Sequence, residues 1–311
     1  MGLNQAMLTF FLGAAMYLAP MQNYNAPKTS QQAESAVAGY SGYAKSNISK
    51  KLVYELQPEI KRDVIHSLYE SIAPILTKVT YEKNERNSEG IEELVKKENQ
   101  SQGSGILLNG NYVLTACHVI NPLFFYNQEI RDSFKQQKIP LLDSLLLKEI
   151  KTEPFVVIND KEYALNHVVE GYAEDFSLMK INAPLKFKPY KFGIGKSREL
   201  QLGDFVYVVG NGHTLGVDLR MTRVTKPIDN EGFFCISQGS IAGGDSGGFV
   251  FAVDKQGMPE FVGIITQVRG SPNSVSQWYG YVKAIDPIME KIRQHNPKID
   301  DEWKAYALKK R

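Results

Sequence analysis

Three side chains in this 311-residue chain could together perform acyl transfer: His118 in "LTACHVI", Asp175 in "EDFSLMKI" and Ser246 in "IAGGDSGGFVF". A serine hydroxyl is a weak nucleophile at neutral pH and needs a base beside it. An imidazole can take the hydroxyl proton, and a carboxylate can fix the imidazole's tautomer and steady its charged form. The surroundings of Ser246 suit a further requirement, backbone N–H groups aimed at one point where an oxyanion develops. Gly243 and Gly244 stand before the Asp245–Ser246 pair, and Gly247 and Gly248 follow it. Glycine admits backbone conformations that other residues avoid, so Gly244, Asp245 and Ser246 form a candidate oxyanion cradle. Each group taken alone has a plainer reading: a structural histidine, a strand-end carboxylate, a slack loop. The order histidine, aspartate, serine, each on its own strand–loop unit, gives the set its chemical meaning. An α/β-hydrolase would run serine, acid, histidine within a β–α pattern. This chain shows neither feature.

Those groups need rigid elements to hold them, and the chain supplies strands. Residues 103–120, "GSGILLNGNYVLTACHVI", read as strand, Asn-Gly turn and strand. Residues 153–181 give a second hairpin around Asn159–Asp160 and a strand at 176–181. Further strands fall at 202–212 and 232–238, in a hairpin at 247–268 with "DKQG" at its tip, and at 278–285. Upstream, residues 73–83 alternate, which puts Ile75, Thr77, Val79 and Tyr81 on one face. Residues 84–102 read as a charged loop or a short solvated helix. Residues 123–150 are leucine-rich, with "LLDSLLLKEI" helix-like or an insertion. A helix closes the series at 286–295, capped by Asp286 with Pro287 in its first turn. Many short strands followed by one helix argue for an all-β barrel or sandwich.

A formal net charge of +2 gives no argument for a nucleic-acid partner. Five scattered histidines show no metal-ligand spacing, so neither a metal nor another cofactor is expected. The two cysteines, Cys117 and Cys235, are too few for a disulfide framework and could pair or stay reduced. Residues 1–21 form a hydrophobic signal or anchor segment, apolar across 6–21 but with no Lys or Arg before it. Export or membrane anchoring through residues 6–21 is the expectation, with the sidedness open. Residues 22–49 read as a linker, 50–72 as a helical extension, 73–296 as the catalytic-type domain and 297–311 as a polar tail.

"TACHV", "DFSLMKI" and "GDSGG" in that order resemble the three motifs of chymotrypsin-like serine proteases. The surroundings are similar to the HtrA/Deg branch: the "GSGILLNGNYVLTACHVI" hairpin, "LGDFVYVVGNG" and "GFVFAVDKQGMPEFVGIIT". The resemblance implies two six-stranded β-barrels with a cleft between them, a C-terminal helix, and a helical N-terminal extension before them. It implies endopeptidase activity on polypeptides with His118, Asp175 and Ser246 as the triad. By the same correspondence Ser240 lies at the base of the primary pocket, Thr266 and Val268 along one wall and Gly280 along another. None is charged, so an apolar side chain of medium or large size is the expected preference. The chain departs from the pattern in four places. Asp245 stands where HtrA relatives usually carry Asn. In the digestive enzymes that aspartate pairs with an amino terminus freed by cleavage, and no such segment precedes Gly103 here. Phe249 replaces the usual Pro, and the position of Cys117 carries over no disulfide. No PDZ-like region is expected after the protease-like part.

The reading is therefore a serine endopeptidase. Two rivals stay open: a non-catalytic peptide-binding module of protease shape, and a protease confined to its own chain.

Overall fold

The computed structural model describes residues 68–86, 91–108, 111–137, 146–183, 193–212, 216–237, 241–254, 257–270 and 278–298, with residues 65 and 88. The signal or anchor segment, the linker, most of the 50–72 extension and the tail from residue 299 lie outside these.

The first barrel is closed by six strands: β1 (Ile72–Arg86), β2 (Glu92–Leu108), β3 (Tyr112–Thr115), β4 (Lys148–Ile158), β5 (Lys161–Gly171) and β6 (Phe176–Ile181). Their order around the ring is β1-β2-β3-β6-β5-β4. Between β3 and β4 run a single helical turn, α1 (Cys117–Ile120), and a longer helix, α2 (Pro122–Gln137). The second barrel uses β8 (Phe205–Gly210), β9 (Asp218–Lys226), β10 (Phe233–Ser237), β11 (Phe249–Val253), β12 (Pro259–Gly270) and β13 (Trp278–Ala284). Its sheet runs β11-β8-β9-β10-β13-β12, and β11–β12 pairing closes the ring. The short β7 (Gly193–Ile194) lies parallel to β12 outside it. Helix α3 (Ile285–His295) follows β13 directly. The expected chymotrypsin-like architecture of two barrels and a terminal helix is what the chain adopts.

Alternation decides which residues enter each barrel. Ile75, Thr77 and Val79 are almost fully buried and Tyr81 nearly so, as the period-two pattern requires. Val113, Val156, Leu165 and Met179 fill the first barrel with them. Val206, Val208, Val224, Phe234, Ile236, Val250, Ile265 and Val282 fill the second. A third cluster joins the barrels. Leu114, Phe176 and Leu178 from the first meet Val209, Phe249, Phe251 and Phe261 from the second, and α3 covers them with Ile285, Ile288, Met289 and Ile292. Each phenylalanine so buried stabilises by about 1.5–3 kcal/mol. This explains the departure at residue 249: Phe249 is fully buried and anchors the strand after Ser246 between the barrels.

Three expectations need correction. Residues 84–86 and 92–102 are not a loop or helix; they continue the β1–β2 hairpin, with Glu82 opposite Lys96 and Glu85 opposite Glu93. Lys97 bridges to Glu85 at 3.0 Å. This ribbon extends past the core, so both faces meet water and no apolar alternation marks it. In the 123–150 region the helix falls at Pro122–Gln137, and the "KEI" end of the leucine-rich stretch opens β4. Asp286 does not cap α3: Ala284 occupies that position, and Asp286 Oδ2 instead accepts the Ser197 hydroxyl at 2.5 Å. The Asn159–Asp160 turn holds as read. Both residues have positive φ, 49° and 60°, as a two-residue type I′ hairpin demands.

Candidate active site

His118 is the second residue of the single helical turn that follows β3. Asp175 ends the tight turn between β5 and β6, with φ of 51°, a conformation uncommon outside glycine. That turn brings the carboxylate under the histidine. Asp175 Oδ2 lies 2.8 Å from His118 Nδ1, and Asp175 Oδ1 accepts the His118 backbone N–H at 2.9 Å. Both oxygens therefore hold one residue, main chain and ring together. Since an ionised carboxylate only accepts, Nδ1 is the donor in this contact. Asp175 is 4% exposed. The imidazole keeps about a quarter of its surface, 26%, open to solvent.

Aromatic side chains rise beside the ring. Phe125 of α2 meets His118 edge-on at 5.9 Å between centroids. Phe124 packs on Tyr172 at 4.5 Å, and both keep more than two fifths of their surface in solvent. Burial, and then the Glu170 carboxylate that accepts its hydroxyl proton, push the Tyr172 phenol above its ordinary range. Glu170 is itself held by Asn121 at 3.0 Å and by His167.

The serine turn belongs to the second barrel but is stitched to the first. Ser104 of β2 donates its backbone N–H to the Ser246 carbonyl at 2.7 Å. The Ser104 hydroxyl donates to the Gly244 carbonyl at 2.8 Å and accepts the Asn211 N–H at 2.8 Å. Gly247 presses into the same seam with φ of 81°. A Cβ there would stand 2.2 Å from both the Ser104 carbonyl and the Thr115 hydroxyl. Gly103 touches both sides of the seam: a Cβ on it would meet the Val119 side chain at 2.6 Å and the Ser246 carbonyl at 2.8 Å. Gly103 thus lies beside both the Ser246 carbonyl and the side chain of Val119, the residue that follows His118. Gly244 has φ of 94°. Among the described residues, no acceptor takes the N–H of Gly244 or of Ser246. Ser104 was not singled out as a site residue, although "GSG" was legible; its two-barrel contacts appear only after folding.

Asp245 has the partner that the sequence did not offer. Its fully buried carboxylate receives Arg220 Nη1 at 2.7 Å and Nη2 at 2.6 Å, and accepts the Ala242 N–H at 2.7 Å. Asp218 lies 2.9 Å from the same guanidinium. Gly210 makes room for the pair: a Cβ on it would stand 2.4 Å from Asp245 Oδ1.

The residues assigned to the primary pocket are only partly described. Ser240 lies outside the described residues, and Val268 is placed on β12, opposite Gly280 on β13, without a described side chain. Thr266 is buried and donates its hydroxyl to the Tyr281 carbonyl at 3.2 Å. The space over Gly280 is taken by Ile241, whose Cδ1 would lie 2.2 Å from a Cβ there. Cys117 and Cys235 are both free thiols, so no bridge links them. Burial pushes the Cys117 thiol up to about 12. Among the described residues, no group of His, Cys, Asp and Glu could hold a metal ion, and no helix is long and apolar enough to cross a membrane.

The trypsin-like peptidase domain family matches residues 103–264, a span that contains all three chemical groups. The chain belongs to that family. It is also similar to U21-ctenitoxin-Pn1a of Phoneutria nigriventer, 25% identical over 209 residues that cover 56% of this chain and 81% of the toxin. Among solved structures it is similar in fold to the HtrA-type protease AlgW, in a serine-to-alanine variant with a decapeptide. The TM-score is 0.52 and the identity 18%, covering 75% of this chain and 66% of that one. Protease function goes with membership of the trypsin-like peptidase domain family.

Proposed function

We propose that the protein is a serine endopeptidase in which Ser246 is the nucleophile, His118 the general base and acid, and Asp175 the residue that orients His118. Ser246 Oγ attacks the peptide carbonyl carbon while His118 Nε2 takes its proton. The N–H groups of Gly244 and Ser246 hold the oxyanion of the tetrahedral intermediate. His118 then gives the proton to the leaving amine, and water hydrolyses the acyl-enzyme by the same steps in reverse. The observation that carries this reading is the double grip of Asp175 on His118, at 2.8 and 2.9 Å. A structural histidine does not need main chain and ring fixed together by one carboxylate. The N–H groups of Gly244 and Ser246, which no acceptor among the described residues takes, support the same chemistry. The substrate is polypeptide, and the AlgW relative with its decapeptide supports that class.

The primary pocket of Ser240, Thr266, Val268 and Gly280 takes an apolar side chain. Ile241 over Gly280 narrows it, favouring medium residues over large aromatic ones. Peptidase activity of the purified chain against an unstructured protein tests the reading. Activity that vanishes in a folded Ser246→Ala variant supports it, and activity that survives in that variant overturns it.

A further inference from the structure

We infer that Arg220 is a built-in activating cation: by clamping Asp245 it sets the 241–248 turn in its working shape through folding alone, with no cleavage upstream. The inference rests on Ser246 acting as nucleophile, and it assigns Arg220 the part of a positioning residue. A carboxylate with no exposed surface is very costly to bury unless it is paired and hydrogen-bonded. Asp245 is in that state, and its pairing is bidentate, the geometry in which a guanidinium fork matches a carboxylate. Asp245 in turn holds the chain around it. Its carboxylate takes the Ala242 N–H, its own N–H donates to the Ala242 carbonyl at 3.1 Å, and its carbonyl accepts the Gly248 N–H at 2.7 Å. These three contacts close the loop on both sides of Ser246 and use neither the N–H of Gly244 nor that of Ser246.

Arg220 reaches Asp245 because of where β9 places it. Arg220 alternates with Thr222 and Val224, which are buried on the inner face of the second barrel. It pairs across the sheet with Val208 of β8, and β8 ends at Gly210, where the missing side chain admits the carboxylate. A cation on the inner face of a barrel is hard to explain as packing. Asp218 on the same guanidinium leaves it held from two sides. Arginine stays charged at every working pH, so the cation of the clamp is permanent.

The test uses the full chain and the variants Arg220→Gln, Arg220→Lys and Arg220→Gln/Asp245→Asn. Amide hydrogen exchange reads the turn without requiring catalysis. Exchange across residues 241–248 rises in Arg220→Gln while the amides of β1 and β6 stay protected. Fluorophosphonate labelling of Ser246 falls by about a hundredfold, the scale of losing an oxyanion donor. Arg220→Lys recovers part of both. The double variant recovers exchange protection relative to Arg220→Gln, because no unpaired charge is left buried. Intact mass shows the probe on a chain uncut between residues 73 and 103. A folded Arg220→Gln variant with wild-type exchange at 241–248, or labelling confined to chains cut upstream of Gly103, overturns the inference. A wild-type chain that shows the exchange pattern yet never labels overturns the nucleophile assignment and leaves the clamp standing.

Discussion

Each barrel contributes one buried carboxylate to the site, and the two are used in opposite ways. Asp175 of the first barrel grips His118, whose ring remains 26% exposed and can gain or lose a proton. Asp245 of the second barrel grips Arg220, which cannot lose one in the working range. The geometry is similar, with both oxygens of each acid engaged at 2.6–2.9 Å. The difference lies in the partner. A titratable partner at the surface makes a device for moving protons; a permanent one in the interior makes a device for holding shape. In the proposed mechanism the group that moves the proton and the frame around Ser246 are thus held by the same kind of contact, and the partner separates their tasks.

The largest effect is expected where the proton-moving pair is broken. Asp175→Asn offers an amide where an acceptor is needed and favours the wrong imidazole tautomer, so kcat should fall by about ten-thousandfold with the fold kept. Steady-state kinetics on a peptide substrate, with circular dichroism for the fold, measures this. A loss of under tenfold would show that the grip on His118 is structural only.

Breaking the frame rather than the proton path should cost less. Gly247→Ala puts a Cβ against the Ser104 carbonyl and the Thr115 hydroxyl at a positive φ. Strain of about 1–3 kcal/mol should appear as a lowered melting temperature, accompanied by reduced labelling of Ser246. Ser104→Ala keeps the N–H to Ser246 but removes the hydroxyl that links Gly244 to Asn211. Activity should fall by about tenfold, on the scale of one hydrogen bond of about 1.4 kcal/mol. Equal rates for Ser104→Ala and wild type would free the turn from the first barrel.

A smaller effect sharpens the pocket. Ile241→Gly opens the space over Gly280. The ratio of kcat/KM for phenylalanine over valine at the cleaved residue should rise by about tenfold or more. An unchanged ratio in a peptide library removes Ile241 from the pocket wall.

The smallest effect concerns a neighbour that does no chemistry. Cys117, directly before His118, is fully buried, and desolvation lifts its thiol from 9.0 to about 12. The unfolded chain loses this proton first as pH rises. The contribution of Cys117 to stability is therefore complete below pH 9 and declines toward pH 12. Denaturant titrations of wild type and Cys117→Ala across that range should converge in slope below pH 9 and diverge above it. A Cys117 that alkylates at pH 8 in the folded protein contradicts its burial.

Much of this site was legible because its parts announce themselves locally. The strands around His118 and Ser246 carry period-two patterns, and the glycines of the serine turn mark backbone that other residues cannot follow. The Asn159–Asp160 hairpin was readable for the same reason. The β1–β2 ribbon was not, because strands without a buried face have no apolar alternation to read. Arg220 was hidden by a different cause. In "DLRMTRVTK" either face of β9 could point inward on sequence grounds, since Leu219 and Met221 are more apolar than Arg220 and Thr222. Tertiary pairing with Asp245 turned the arginine inward. Ser104 escaped notice because its contacts span about 140 residues of sequence. The position of Ile241 over Gly280 was not legible either, since which side chain folds over a glycine is decided by tertiary packing.

The account stands on Ser246 being an activated nucleophile. Fluorophosphonate labelling of the full chain, followed by mass-spectrometric mapping of the adduct, tests that most directly. The predicted result is one adduct on Ser246, absent in Ser246→Ala and strongly slowed in Asp175→Asn. A folded protein that takes no adduct, or takes it at another residue, contradicts the account.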